Sequence, residues 1–327
     1  VHGRANGRVD RRNWPDPEIE SGMMDDYDEL QHKNPAHART VRVSWNLGWS
    51  DEDATWVPPT ETDLTEFATN LVHHYQVFLG RRLFVELTGP DLEKTPGVIK
   101  LLEHLHSLGV RTGIYTEVIH SMDFWKAVKP YVHQLCLVVR AEDSQEFAAL
   151  VVTELAPVVD VHINYEVSAE MEVGQLRKAV AFATSLTEIT MNVVVTRGTE
   201  ATLDATANSR LVGVNASVHR VAGAHRTRQR QSHRGNMMKV AINSAVEVSP
   251  RELIANGENS WTDWTCMTGV EQLIITTRGD VIRGWCHQGG VIGNVKSRIV
   301  PFPTSGITCG AAWCHSTIDI QCTKRWF

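Results

Sequence analysis

The residues in this chain with the clearest capacity for chemistry are its six cysteines, and they are unevenly placed. Cys136 stands alone in an apolar run, whereas Cys266, Cys286, Cys309, Cys314 and Cys322 cluster near the end of the sequence. Thiolates bind soft or borderline metals, and the ligands of one site must converge from a few loops. Cys309 and Cys314 have four residues between them, close enough to chelate one ion. The segment EQLIITTRGDVIRGWC (271–286) reads as a hairpin turning at Arg278-Gly279-Asp280. Cys286 ends it, and Cys266, on its other side, could face Cys286. Cys322 follows Cys314 after seven residues and is the natural substitute or fifth member of the set. His287 and His315 are candidate nitrogen ligands. Reduced buried thiols are the plainer alternative, since free cysteine packs as a small hydrophobe. Five in one loop-rich segment favour a metal site, zinc or a [4Fe–4S] cluster, and four thiolates satisfy either.

Other side chains offer weaker signals. Asp51, Glu52 and Asp53 form an acidic cluster at a strand end, suited to a hard cation but more simply read as a solvated loop. Glu86 sits inside an apolar strand, as an interior carboxylate with a raised pKa or as a satisfied barrel acid. There are fifteen histidines but no HExxH. His73-His74 and His104/His106 fall on helices and are read as half-exposed, not as ligands. The run from His225 to Asn236 carries Arg226, Arg228, Arg230 and Arg234 without an aromatic residue to stack a base. It reads as a charged loop docking on the acidic remainder of the chain or on a protein partner.

The elements that must position these residues follow from the pattern. The chain has 327 residues, 42% of them hydrophobic, and a net charge of −6. That balance is globular and argues against nucleic acid as a partner. No apolar run approaches the roughly 20 residues needed to span a bilayer. The N-terminal stretch is polar and lacks the apolar core of a secretion signal, so the expected setting is cytoplasmic. Strands are expected at 41–47, 82–87, 110–116, 134–140, 159–167 and 189–196. Helices are expected at 62–79, 97–109, 121–131, 143–156 and 174–186. Alternation of this kind demands a mostly parallel sheet with right-handed crossovers. The strands are rich in Val, Ile and Leu, as when both faces are covered. No GxGxxG follows the first strand, which weakens a dinucleotide-binding reading. The division is an extended arm (1–38), an α/β unit (39–196) and an irregular β-rich extension with clustered cysteines (197–327), including a hairpin about Asn243-Ser244.

The segment Cys266 … Gly279-Asp280-Val281 … Gly284-Trp285-Cys286 … Ile292-Gly293-Asn294-Val295 … Cys309 … Cys314 resembles the C-terminal auxiliary-cluster region of radical SAM proteins. Val43-Ser44-Trp45-Asn46-Leu47 resembles that family's first barrel strand, Glu86-Leu87-Thr88-Gly89 its second-strand segment, and Gly113-Ile114-Tyr115-Thr116 its third. The resemblance covers about residues 40–325. It implies a partial parallel (β/α)6 barrel with a small C-terminal cysteine module, and it favours iron–sulfur over zinc. The departures are specific. The loop that carries CxxxCxxC in the family is here Trp49-Ser50-Asp51-Glu52-Asp53-Ala54-Thr55-Trp56, with no cysteine. The segment meeting the SAM amino group is reduced to Thr88-Gly89-Pro90-Asp91, and the third-strand motif has become Thr116-Glu117-Val118. His315-Ser316 stand where the family pattern places a further thiolate.

These departures set the functional expectation. The chain is read as a radical-SAM-like protein that has lost SAM cleavage and acts as a binding or structural component, not an enzyme, with no SAM bound. The competing reading is an enzyme: a radical SAM protein with an atypical cluster site, or a barrel using carboxylates at its strand ends.

Overall fold

The computed structural model describes residues 29–32, 34–48, 57–140, 143–168, 178, 181–182, 190–197, 238–240, 246–248, 250–255 and 257–326. The acidic loop 49–56, the arginine run 225–236, the turn at Asn243-Ser244 and most of the helix expected at 174–186 lie outside the described residues.

Where 1–38 reads as an extended arm, Glu29–His32 is a strand, β1, followed by a short helix α1 (Pro35–Ala38) capped by the Asn34 side chain. Six parallel strands then come at the places their alternation predicts: β2 (Thr40–Asn46), β3 (Arg82–Thr88), β4 (Arg111–Thr116), β5 (Gln134–Arg140), β6 (Asp160–Ser168) and β7 (Thr190–Arg197). The helices between them are α2 (Glu61–Val72), α3 (Val98–Ser107), α4 (Met122–Val128) and α5 (Gln145–Leu155). Thr60, Ser121 and Ser144 accept backbone N–H bonds at the N-termini of α2, α4 and α5, supplying the capping oxygen those donors need. The helix expected to run from 62 to 79 changes character after Val72, where His73–Phe78 widens into a π-turn that buries Tyr75 and exposes Val77 and Phe78.

The strand order β2-β3-β4-β5-β6-β7 is sequential, every pair parallel. A doubly wound sheet reverses direction part-way. Here the sequential order with right-handed crossovers puts α2 to α5 on the same face, and the sheet forms the partial (β/α)6 barrel. The two faces therefore differ, contrary to the expectation that both are apolar. Val41, Val43, Trp45 and Leu47 are buried, while the alternating Arg42, Ser44 and Asn46 are half-buried. Leu83, Val85 and Leu87 against Phe84, Glu86 and Thr88 repeat the pattern in β3. The apolar set packs with Leu64, Phe67, Leu71, Leu101 and Leu105 of the helices, and the polar set forms the other, concave face. Gly113 has no side chain because the Phe84 ring lies where its Cβ would be, 2.8 Å away.

The C-terminal segment is not simply appended. Strands β8 (Met238–Val240) and β9 (Val246–Val248) form the first expected hairpin. β10 (Thr265–Cys266) precedes β11 (Gln272–Ile275), which pairs in parallel with β2 and extends the barrel sheet. β12 (Asp280–Ile282) and β13 (Val291–Asn294) add antiparallel strands, making nine in that sheet. A second sheet has the order β14-β10-β15-β1-β8-β9, with β14 at Ile307–Thr308 and β15 at Lys324–Arg325. Phe302 packs against Phe67 and Tyr75, so the extension shares the barrel's core.

Candidate metal centre

The two sheets bring the cysteines together. Cys266 ends β10, Cys309 follows β14, which pairs with β10, and Cys314 precedes a short helix at Thr317–Ile320. Cys286 arrives from the barrel sheet, just past β12. All four line one small cavity, with Asp319 and Lys324 also in its wall. Cys322 does not line it; its thiol is buried against Gln272 Oε1 at 3.4 Å. His287 and His315 are exposed and do not line the cavity. Cys136 lies far off in β5, where Asn164 Nδ2 donates to its sulfur at 3.4 Å.

The backbones of Cys286, Cys309 and Cys314 are each fixed by a specific partner. Asp319 is the organiser for Cys286: its carboxylate accepts the N–H groups of Cys286 (2.7 Å) and Trp285 (3.1 Å) and Gln272 Nε2 (2.8 Å). Gly284 is needed there, since a Cβ would stand 3.0 Å from Asp319 Oδ1. Asn294 ties down the hairpin turn, donating to the Arg278 carbonyl (3.1 Å) and to Asp280 Oδ1 (2.9 Å). The Cys314 N–H donates to the Asn259 carbonyl (2.8 Å), and Asn259 Nδ2 returns a bond to the Cys314 carbonyl (2.9 Å). The Cys309 N–H donates to the Trp264 carbonyl at 2.8 Å. Such outer partners orient ligands before any metal arrives.

The electrostatics are those of protein-enclosed sulfur. Burial pushes the Cys314 thiol up to about 12 and Cys286 up to about 11. Burial also raises Cys309, against a lowering hydrogen bond from the Ala311 backbone. A metal must therefore displace protons from these groups. Thr268 Oγ1 is buried in the lining without a hydrogen-bond partner among the described residues, a hydroxyl left free for a sulfur or an ion. Four thiols, an orphan hydroxyl and a buried cation fit a four-thiolate centre in donor chemistry. Among the described residues, no three His, Cys, Asp or Glu groups already stand in coordinating geometry. Binding would require the thiols to close on a common centre.

Polar contacts join this site to the barrel. Gln272 on β11 bonds Asp319, and Arg42 on β2 reaches Gln321 Oε1 at 3.5 Å. Burial lowers the Arg42 pKa, opposed by Glu86 and Cys322, and burial raises the Glu86 pKa, opposed by Arg42. Glu86 is thus the interior carboxylate its sequence position suggests. At the ends of β3 and β4 lies a group the sequence did not single out. His120 is buried, with Nε2 3.2 Å from Thr116 Oγ1 and Nδ1 3.9 Å from Asp91 and 4.0 Å from Glu93. Its signal was faint, a lone histidine after a strand. Lys324, in the cavity wall, was equally hidden as one basic residue beside Cys322.

Sequential parallel strands, a hairpin continuing their sheet, and thiols grouped behind that hairpin match what the sequence motifs imply. The fold is radical-SAM-like. No protein-family model matches the chain, and no curated protein sequence matches it. Among solved structures it is similar to Streptococcus suis SuiB, with 12% identity, TM-score 0.48, and coverage of 76% of this chain and 61% of that one. SuiB bound to S-adenosylmethionine is similar at 13% identity and TM-score 0.45, covering 76% and 59%. SuiB bound to precursor peptide SuiA is similar at 14% identity and TM-score 0.47, covering 76% and 60%. The chain thus spans less than two thirds of the SuiB chains it resembles, and at these identities the likeness concerns architecture.

The expectation of a scaffold without catalysis does not stand. The similar SuiB structures include one bound to S-adenosylmethionine and one bound to precursor peptide SuiA. The reading of lost activity, and of a non-enzyme, rested on motif departures at 49–56, 88–91 and 116–118. The first of these lies outside the described residues, so the structure supplies no geometry for that loss. Among the described residues no helix is long and apolar enough to cross a membrane.

Proposed function

We propose that this chain is a radical-SAM-type enzyme with an atypical cluster site, acting on a peptide or protein substrate along the concave face of its partial barrel. Cys266, Cys286, Cys309 and Cys314 would hold its metal centre. The observation carrying the proposal is that these four thiols line one cavity, which Asp319 and Gln272 tie to the barrel sheet. When bound, a [4Fe–4S] cluster would supply electron transfer and zinc would supply structural closure. Iron–sulfur is the better fit to the motif resemblance. Residues 49–56 hold no cysteine, so the three-thiolate cluster of the family does not fit the barrel mouth, and the C-terminal four are the thiolate set this chain offers.

The chain's own residues have definable tasks. Arg42, Ser44, Asn46, Glu86 and Thr88 give the concave face donors and acceptors for a polar chain. Glu86, its pKa raised by burial, holds a proton at its carboxyl to a higher pH than a surface acid would, as an acid–base group requires. A peptide is the favoured substrate class because SuiA occupies one similar structure. A second reading rests on His120 set between Asp91 and Glu93 at the strand ends, where barrel active sites lie; it needs no SAM.

Anaerobic protein reconstituted with iron and sulfide, then reduced and incubated with SAM, separates the two. Formation of 5′-deoxyadenosine, lost in Cys286→Ser, is the expected result. An intact metal centre that yields no 5′-deoxyadenosine defeats the radical-SAM-type reading and leaves the carboxylate one.

A further inference from the structure

The cysteine cavity has a charged wall. Lys324 is 1% exposed, and its Nζ donates to the carbonyl oxygens of Asp319 (2.7 Å), Ile320 (3.1 Å) and Cys322 (3.0 Å). Three acceptors require three N–H bonds, and only the ammonium form has three to give. The amine also lies 5.7 Å from the centre of the Trp261 ring. Among the described residues Lys324 makes no ion pair. Asp319 commits its side-chain oxygens to Gln272, Trp285 and Cys286 and offers the lysine only its backbone carbonyl. Glu271 gives its carboxylate to the Thr323 N–H and acts on the lysine only as a more distant charge.

An enclosed ammonium that forms no ion pair is costly, and the carbonyl dipoles and the Asp319 charge, already committed to three other donors, offset only part of that cost. Neutral thiols leave the remainder standing. Four thiolates around a divalent metal or a doubly positive [4Fe–4S] cluster carry two net negative charges and remove it. We propose that Lys324 is the built-in counter-cation of the four-cysteine centre, stabilising the loaded anionic site and destabilising the empty one. The inference rests on the metal-centre reading above and adds a residue that touches no metal. It also explains how a site facing Asp319, itself 1% exposed, tolerates further negative charge.

The prediction is a reversal of sign. Full-length wild type and Lys324→Met are purified anaerobically, stripped with chelator, and compared empty and loaded with zinc alone. The empty variant should melt above the empty wild type. The loaded variant should release zinc to chelator about tenfold more readily, the scale of losing an outer-shell partner. With iron and sulfide in place of zinc, removing the positive charge should move the midpoint potential negative. Should Lys324→Met fail to fold, Lys324→Arg and Lys324→Gln repeat the comparison, the charged variant retaining metal better. Equal retention by charged and neutral variants overturns the inference while leaving the metal centre standing. Wild-type protein that takes up no metal overturns both.

Discussion

In the barrel half, β2 places Val41, Val43, Trp45 and Leu47 under the helices and Arg42, Ser44 and Asn46 on the concave side, and the neighbouring strands repeat that scheme. In the cysteine half, strands run two to four residues, and the second core is a small group of Leu30, Leu253, Trp261 and Ile320 completed by Cys309 and Cys314. One half draws its order from apolar area. The other assembles from short strands, caps and carbonyls around a small core completed by thiols, and leans on the barrel's core through residues such as Leu273, Val281 and Phe302. A metal centre in the second half would add to that small core, because binding free energy at a site absent from the unfolded chain is folding free energy.

Stripping the proposed metal is the largest way to break that contrast. Chelation, or Cys286→Ser, should remove several kcal/mol from the cysteine half, on the scale of structural zinc sites. Amide exchange should accelerate in β10, β12 and β14 while β3, β4 and β5 keep their protection. Next in size is a change confined to the barrel. Trp45→Ala leaves a cavity against Phe67 and should cost about 3–5 kcal/mol, lowering the barrel's unfolding midpoint in denaturant without changing metal content. Asp319→Ala sharpens the boundary between the halves. It leaves the N–H groups of Trp285 and Cys286 unmet, for about 1–3 kcal/mol each, and should reduce metal retention and thermal stability together.

The smallest effect concerns pH. His37 stacks on His32 at 3.7 Å and is held neutral down to about 2, by burial first and then by the nearby Arg42 and His32 charges. The unfolded chain takes up this proton near the ordinary histidine value of about 6.5, so below that pH the unfolded state binds more protons than the folded one. Stability should therefore be fully present above about 6.5 and fall as pH drops, by at most about 1.4 kcal/mol per unit. Denaturant melts between pH 7 and 5.5 measure the slope, and His37→Gln should flatten it.

What the sequence disclosed follows the same division. Period-two alternation located β2 to β7 almost to the residue, because in a sheet with one buried face the period carries the physics. It misjudged the concave face, since a few polar residues such as Ser44 and Glu86 were outweighed by the apolar majority. It also could not see the π-turn at His73–Phe78, which no apolar spacing marks. In the C-terminal half, composition gave the clustered thiols but not their scaffold. The parallel pairing of β11 with β2, and the antiparallel pairing of β1 with β15, join residues from opposite ends of the chain, beyond the reach of any local pattern. Asp319 and Lys324 looked like ordinary surface charges until burial and hydrogen bonds gave them roles.

The most direct test of the four-cysteine centre is a metal and sulfide count on anaerobically purified protein, repeated for each single Cys→Ser change. The account predicts one centre per chain, diminished by Ser at 266, 286, 309 or 314 and unchanged by Ser at 136. Protein that stays metal-free after supplementation with zinc and with iron and sulfide, all six thiols titrating once it is unfolded, would contradict it.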